Sequence, residues 1–385
     1  MKLLPIFLIF SILLVSFLTF TKSAHAAENP LSLPNNKIGI HILFDNELED
    51  AAKLVNANGG DWGYVVIPLQ AGDRDLEKWQ NFMNKARALH VIPLVRLATE
   101  GDYFNTRVWR KPKYEDIMDF ANFLNSLQWP TVNRYIIVFN EVNRADEWGG
   151  DVDPEEYAEL LSYAVTVFKS KNQNFFIIGA GMDNAAANTS EAMNQYSYFR
   201  LMDQAIPGVF NQIDGFASHS YPNPAFSQSP AVLTQMSIAS FSYESSLLNS
   251  LSNKSLPVFI TETGWTADTI SEEQRATYYK QALETVWNSE QIVAIAPFLL
   301  RAGAGPFNVF TFLKDDGSET KQYTLIKEMQ KVKGKPRLPE RVLGDTLVPA
   351  TRYETKDFSD VGDQLKDPHP LSQTVQDGIK WIFKI

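Results

Sequence analysis

Between Lys37 and Val332, eight short runs rich in β-branched and aromatic residues alternate with segments of helical pattern. The runs are Ile38–Leu43, Trp62–Pro68, Val91–Leu97, Arg134–Asn140, Phe175–Gly181, Ile213–His219, Pro257–Thr261 and Ile292–Phe298. Their near-continuous apolar character is that of strands covered on both faces, as in a parallel sheet, rather than the strict alternation of a half-exposed strand. The intervening segments carry helix signals. Leu76, Trp79, Phe82, Met83, Ala86 and Leu89 form one apolar stripe at helical spacing. Asp153-Pro154-Glu155-Glu156 reads as an N-cap followed by proline at the first helical position and acids in the first turn. Ser271-Glu272-Glu273-Gln274 reads as a capping box, and a last helix is expected over Lys321–Val332. The fifth and sixth helical segments are less sharply patterned. Eight strand–helix alternations, about 25 to 45 residues apart, predict an α/β fold of the (β/α)8 TIM-barrel type. The competing open doubly wound sheet would carry a glycine-rich first turn. Gly179-Ala180-Gly181 and Gly303-Ala304-Gly305 lack the third glycine and do not open the first unit.

The chain ends of this repeat differ from it. Residues 1–26 begin with Lys2, run through an apolar stretch from Leu3 to Phe20, and reach the small-residue site Ala24-His25-Ala26. This has the form of a secretory signal peptide, the alternative being a retained membrane anchor. A secreted or cell-envelope location follows from either. The barrel is expected to occupy 27–335, ending at Gly334-Lys335-Pro336, and residues 336–385 form a polar extension closing on Trp381-Ile382-Phe383. The formal net charge is −10, and removing the leader takes two lysines and no acid. Such an acidic surface disfavours nucleic acid or an anionic membrane as partner and is indifferent to a neutral polymer. With no cysteine, disulfides, thiol nucleophiles and thiolate metal sites are excluded. The five histidines show no metal-binding spacing, and no serine-hydrolase elbow or phosphate-binding loop is present, so neither metal nor cofactor is expected.

In a barrel of this type the site lies at the C-terminal strand ends. Two strands end on a glutamate: Tyr135-Ile136-Ile137-Val138-Phe139-Asn140-Glu141 and Pro257-Val258-Phe259-Ile260-Thr261-Glu262. Strands 4 and 7 lie nearly opposite each other in a small barrel. Paired carboxylates there suit glycosidic bond cleavage, which needs one protonated and one ionised carboxyl group. Other strand ends add Arg96, His219 and Tyr221, with Asp183 and Asn184 after strand 5 and His41 inside strand 1. Trp148 and Trp265, just beyond the two glutamates, are candidate platforms for the apolar face of a sugar, with Tyr103 and Trp109 as weaker ones. Trp62, Trp79 and Trp287 fall on strand or helix stripes and are expected in the core.

Asn140-Glu141 after an apolar strand, His219-Ser220-Tyr221-Pro222, and Thr261-Glu262-Thr263-Gly264-Trp265 together resemble the strand 4, 6 and 7 motifs of glycoside hydrolase clan A. The resemblance covers the barrel and is compatible with families 5 and 39, while Glu262-Thr263-Gly264-Trp265 is similar to family 17. It implies a retaining glycosidase acting on a β-linked oligo- or polysaccharide. In it Glu141 would be acid/base, Glu262 the nucleophile oriented by Tyr221 or His219, and Asn140 a ligand of the sugar 2-hydroxyl. Two departures stand out. Val66-Ile67-Pro68 occupies the strand 2 end where the clan often carries arginine, so that Arg96 would stand in. Pro297-Phe298 occupies the strand 8 end where the clan often has tryptophan. A monomer is expected. The rival readings are a barrel that binds glycan without cutting it, and a cell-envelope interaction protein working through its C-terminal extension.

Overall fold

The structure, a computed structural model, describes residues 27–100, 106–303 and 306–340. Eight parallel strands are joined in sequence order: β1 (Gly39–His41), β2 (Gly63–Gln70), β3 (Val91–Ala98), β4 (Arg134–Val138), β5 (Phe175–Gly179), β6 (Gly215–His219), β7 (Val258–Glu262) and β8 (Ile292–Ile295). The first and last strands meet through an Ile38–Ile295 bridge and a His41 N–H bond to the Pro297 carbonyl, 3.0 Å. The sheet thereby closes into the expected (β/α)8 barrel. The helices are α1 (Leu48–Val55), α2 (Leu76–Ala88), α3 (Tyr114–Ser126), α4 (Pro154–Lys171), α5 (Gln195–Ala205), the short α6 (Val209–Gln212), α7 (Ser240–Leu251), α8 (Glu272–Glu284) and α9 (Lys321–Glu328). Their starts are chemically marked. Asp75, Asp153, Ser271 and Thr320 each accept a hydrogen bond from the backbone N–H three residues on, which satisfies an otherwise orphaned donor.

The strand runs are apolar on both faces because each face meets a different core. Tyr64, Val66, Ile92, Leu94, Tyr135, Ile137, Phe176, Ile178, Ala217 and Phe259 fill the barrel interior. The residues between them, such as Val65, Ile67, Val95, Ile136, Ile177 and Ile260, pack outward against the helices. Trp62 belongs to the interior set, and Trp79 and Trp287 to the outer layer, all three buried as expected. Leu31 packs against the interior cluster from the N-terminal end of the barrel, and Glu28 and Asn133 exchange hydrogen bonds beside it. A small cleft between Glu28, Trp62, Tyr64, Asn133 and Arg337 lies at that end, away from the strand exits. The chain stays docked beyond the domain end expected at 335, for the Val132 N–H donates to the Arg337 carbonyl at 2.8 Å. The leader and the Trp381-Ile382-Phe383 terminus lie outside the described residues.

Candidate active site

Strand periodicity decides which residues reach the mouth. Leu94 faces the interior, so Arg96, two residues on, does too. Ala217 likewise sets His219. Glu262 breaks this parity, since the inward residue on its strand is Phe259, three positions earlier. The β6–β7 pairing resolves the conflict. Ser218 pairs with Ile260 but His219 pairs with Glu262, an irregularity that absorbs one residue and turns Glu262 into the interior beside His219. On β4 the backbone leaves strand geometry at its exit. Phe139 and Glu141 both have positive φ, 70° and 36°, in the left-handed region. The Glu141 N–H nevertheless finds the Gly181 carbonyl at 2.9 Å.

The result is a compact charged centre. One carboxylate oxygen of Glu141, one of Glu262 and one ring nitrogen of His219 all lie within 4.8 Å of one another. Glu262, 8% exposed, accepts from Arg96 Nη1 at 2.8 Å on Oε1 and from the Tyr221 hydroxyl at 3.1 Å on Oε2. The same Arg96 nitrogen donates to Asn140 Oδ1, which fixes the orientation of that amide. Glu141 Oε1 lies 2.9 Å from His219 Nδ1, and its Oε2 lies 3.7 Å from Arg144 Nη1. The two carboxylates therefore have unlike surroundings: one is clasped by arginine and tyrosine, the other rests on a histidine, its second oxygen free of a direct hydrogen bond among the described residues.

Four histidine and acid perturbations follow from this crowding. Burial alone would discharge His219, but the carboxylates of Glu262 and then Glu141 outweigh it and raise its pKa above the ordinary histidine value. His41 goes the opposite way. Burial, then Arg96, then His219 hold it well below that value, so it is neutral. Its Nε2 lies 3.7 Å from Glu262 Oε1, and neither ring nitrogen has a hydrogen-bond partner among the described residues. Burial and then the Glu141 charge push Glu147 up to about 8 and raise Asp183 as well.

Of the residues singled out in the sequence, Arg96, Asn140, Glu141, His219, Tyr221, Glu262 and His41 converge here. Trp148 and Trp265 do not, and this corrects the expectation of sugar platforms. Trp148 is 0% exposed, edge-on to Phe139 and Tyr157, with its indole N–H on Glu156 at 3.1 Å. Trp265 is 1% exposed among Tyr278, Tyr279 and Trp287, with its N–H on the Gln228 carbonyl at 2.8 Å. Loops after a strand fold back on the outer layer, and the largest apolar side chains go with them. Trp109 is half-buried and its backbone is bonded to Asp146 and Gly149, while Tyr103 lies outside the described residues. A phenylalanine cluster adjoins the centre through His41 and Tyr221. Phe298 meets the His41 ring edge-on at 5.1 Å, and Phe226, Phe307 and Phe310 continue from it and from Tyr221. Arg144, Asp146 and Glu147 were not among the sequence candidates. The signal available was the Glu141–Arg144 spacing of three, weak in a loop without helical pattern. The Glu141–His219–Glu262 grouping has the spacing a cation could use, but Arg96 already supplies Glu262 with a full positive charge.

No protein-family model matches the chain, and no curated protein matches it. Solved structures do. A family 39 glycoside hydrolase from Bacteroides cellulosilyticus superposes with a TM-score of 0.54 at 17% identity over 78% of this chain. This chain covers 64% of that protein's length, so it spans a little under two thirds of it. A family 39 β-xylosidase from Caulobacter crescentus gives 0.56 at 15% identity, over 79% of this chain and 72% of that one. A family 5, subfamily 18 protein from Bifidobacterium longum subsp. infantis gives 0.56 at 11% identity, over 77% and 79%. At these identities the likeness is one of fold.

Proposed function

We propose that this chain is an exported retaining glycoside hydrolase that cleaves β-linked glycans by double displacement. The observation that carries the reading is the approach of Glu141 and Glu262 oxygens to within 4.8 Å across the mouth of the barrel. Retaining enzymes place their two carboxyl groups about 5–5.5 Å apart, close enough for one to attack while the other protonates, whereas inverting enzymes leave a gap for water. The shared fold with proteins named as glycoside hydrolases, one of them a β-xylosidase, supports the substrate class. The apolar leader supports export.

In the first step a Glu262 oxygen attacks the anomeric carbon while Glu141 gives its proton to the departing glycosidic oxygen. The C–O bond to the leaving sugar breaks and an ester to Glu262 forms. In the second step Glu141 takes a proton from water, the resulting hydroxyl adds to the anomeric carbon, and Glu262 leaves as a carboxylate. Arg96 and Tyr221 hold the Glu262 carboxylate in place for the attack. The Asn140 amide held by Arg96 is available to a sugar hydroxyl, while His41 lies fully buried 3.7 Å from Glu262.

The test is turnover by Glu262→Gln on a panel of aryl β-glycosides and β-glucans. The reading predicts near-complete loss of activity with unchanged melting. Wild-type turnover by that variant would refute the nucleophile assignment. Binding of glycan without any product from the unmodified protein would identify a lectin-like barrel instead.

A further inference from the structure

Arg144 sits between three carboxylates that come from two different loops. Its fork is taken by Asp146, with Nε to Oδ1 at 3.0 Å and Nη2 to Oδ2 at 2.7 Å. Its remaining nitrogen, Nη1, lies 3.4 Å from Asp183 Oδ2 and 3.7 Å from Glu141 Oε2. Asp183 is itself fixed. Its backbone N–H donates to Asn143 Oδ1 at 3.0 Å, the Asn143 amide returns a bond to the Asp183 carbonyl at 3.0 Å, and its Oδ1 accepts from the Ala185 N–H at 2.8 Å. Further backbone bonds tie the two loops together, from Ala145 N–H to the Glu191 carbonyl and from Met193 N–H to the Asn143 carbonyl, each 2.8 Å.

The geometry has a particular consequence for Glu141. Oε1 is held by His219, while Oε2 faces a guanidinium that stops short of it. At 3.7 Å the contact is electrostatic and falls outside hydrogen-bond range. Left to itself an arginine beside a carboxylate closes to a bidentate pair and holds it ionised. Here Asp146 has already taken the fork and Asp183 draws the third nitrogen, so Arg144 cannot close. Oε2 is steered but keeps its lone pairs for a proton and for the oxygen of the leaving sugar.

We propose that Arg144, pinned back by Asp146 and Asp183, is a positioning residue that aims Glu141 Oε2 at the leaving-group oxygen. This rests on the reading of Glu141 as the acid/base. Proton donation matters for a poor leaving group and little for an activated one such as 2,4-dinitrophenolate, which departs as an anion. Arg144→Met should therefore lower kcat/KM on alkyl or unactivated aryl β-glycosides at least about tenfold more than on the dinitrophenyl glycoside of the same sugar, within the range by which general acids act. Arg144→Lys should recover part of the difference. An equal loss on both substrates, or no loss, overturns the proposal.

A second readout needs no turnover. In a crystal structure of Arg144→Met, or of Arg144→Lys where the methionine variant does not fold, the Glu141 carboxylate should turn so that Oε2 leaves the position it holds 3.7 Å from Arg144 Nη1 in the unmodified protein. An Oε2 that keeps its position overturns the positioning role even if activity falls. If the unmodified protein cleaves no glycoside of the panel, the acid/base reading fails, and this structural comparison still decides whether Arg144 aims the side chain.

Discussion

At the level of single residues, Glu141 and Glu262 are made unlike by their neighbours. Tyr221 touches Glu262 through one hydrogen bond in a buried site. Tyr221→Phe removes that bond and leaves the ring, so kcat should fall about tenfold, the equivalent of roughly 1.4 kcal/mol, with little change in melting temperature. A fall in melting with unchanged kcat would make the tyrosine structural. Glu141→Gln should cost about 10²–10⁴-fold on unactivated substrates, the usual span for a general acid. Both glutamates are legible in the sequence because a carboxylate ending an apolar strand has no packing reason to be there. Trp148 and Trp265 are where position in the chain points the wrong way. Each lies a few residues beyond a strand-end glutamate, but nothing local shows that its loop turns back under the outer layer. Trp265→Ala should therefore destabilise the protein by about 3–5 kcal/mol in denaturant unfolding, as for a buried indole. A normal unfolding midpoint with a raised KM would return it to the sugar site.

At the scale of elements, β6 and β7 carry the decisive detail. Periodicity alone would turn Glu262 away from Phe259's face, and the register shift beside His219 turns it back. That shift is a property of two strands pairing, so a reading of either run by itself does not contain it. The same holds for Arg144, whose partner Asp183 arrives from the next strand's loop. Behind β6, α7 contributes Glu244, 1% exposed, which accepts from Ser218 at 3.0 Å. Burial pushes its pKa from 4.5 up to about 7, and Glu47 in the loop after β1 is raised to the same level. Between about pH 4.5 and 7 the folded protein keeps these protons while the unfolded chain has released them, so stability falls as pH rises through that window. Each group is worth on the order of 3 kcal/mol across it. Glu244→Gln should flatten the decline, and a melting-temperature series from pH 4.5 to 8 checks it. A variant with the wild-type slope would mean that Glu244 is already ionised in the fold.

At the scale of the whole molecule, the eight-fold alternation is legible because a barrel buries both faces of every strand, and helix caps such as Asp153 and Ser271 mark where the outer layer begins. Domain limits are less so. Gly334-Lys335-Pro336 looks like an end, yet Arg337 still pairs with Val132. A chain of residues 27–340 should accordingly fold and hydrolyse like the full chain, while one cut at 335 should melt lower. Equal melting would make the Arg337 contact dispensable. The central claim, that Glu262 forms a covalent bond to sugar while Glu141 serves it with protons, is tested most directly by trapping. The protein is incubated with 2-deoxy-2-fluoro-β-glycosyl fluorides of the gluco, xylo, manno and galacto series and analysed by intact mass and peptide mapping. A single glycosyl adduct is expected on Glu262 and none on Glu262→Gln. An adduct on Glu141, or no adduct with any of the four while a β-glucan is turned over with inversion at the anomeric carbon, would contradict it.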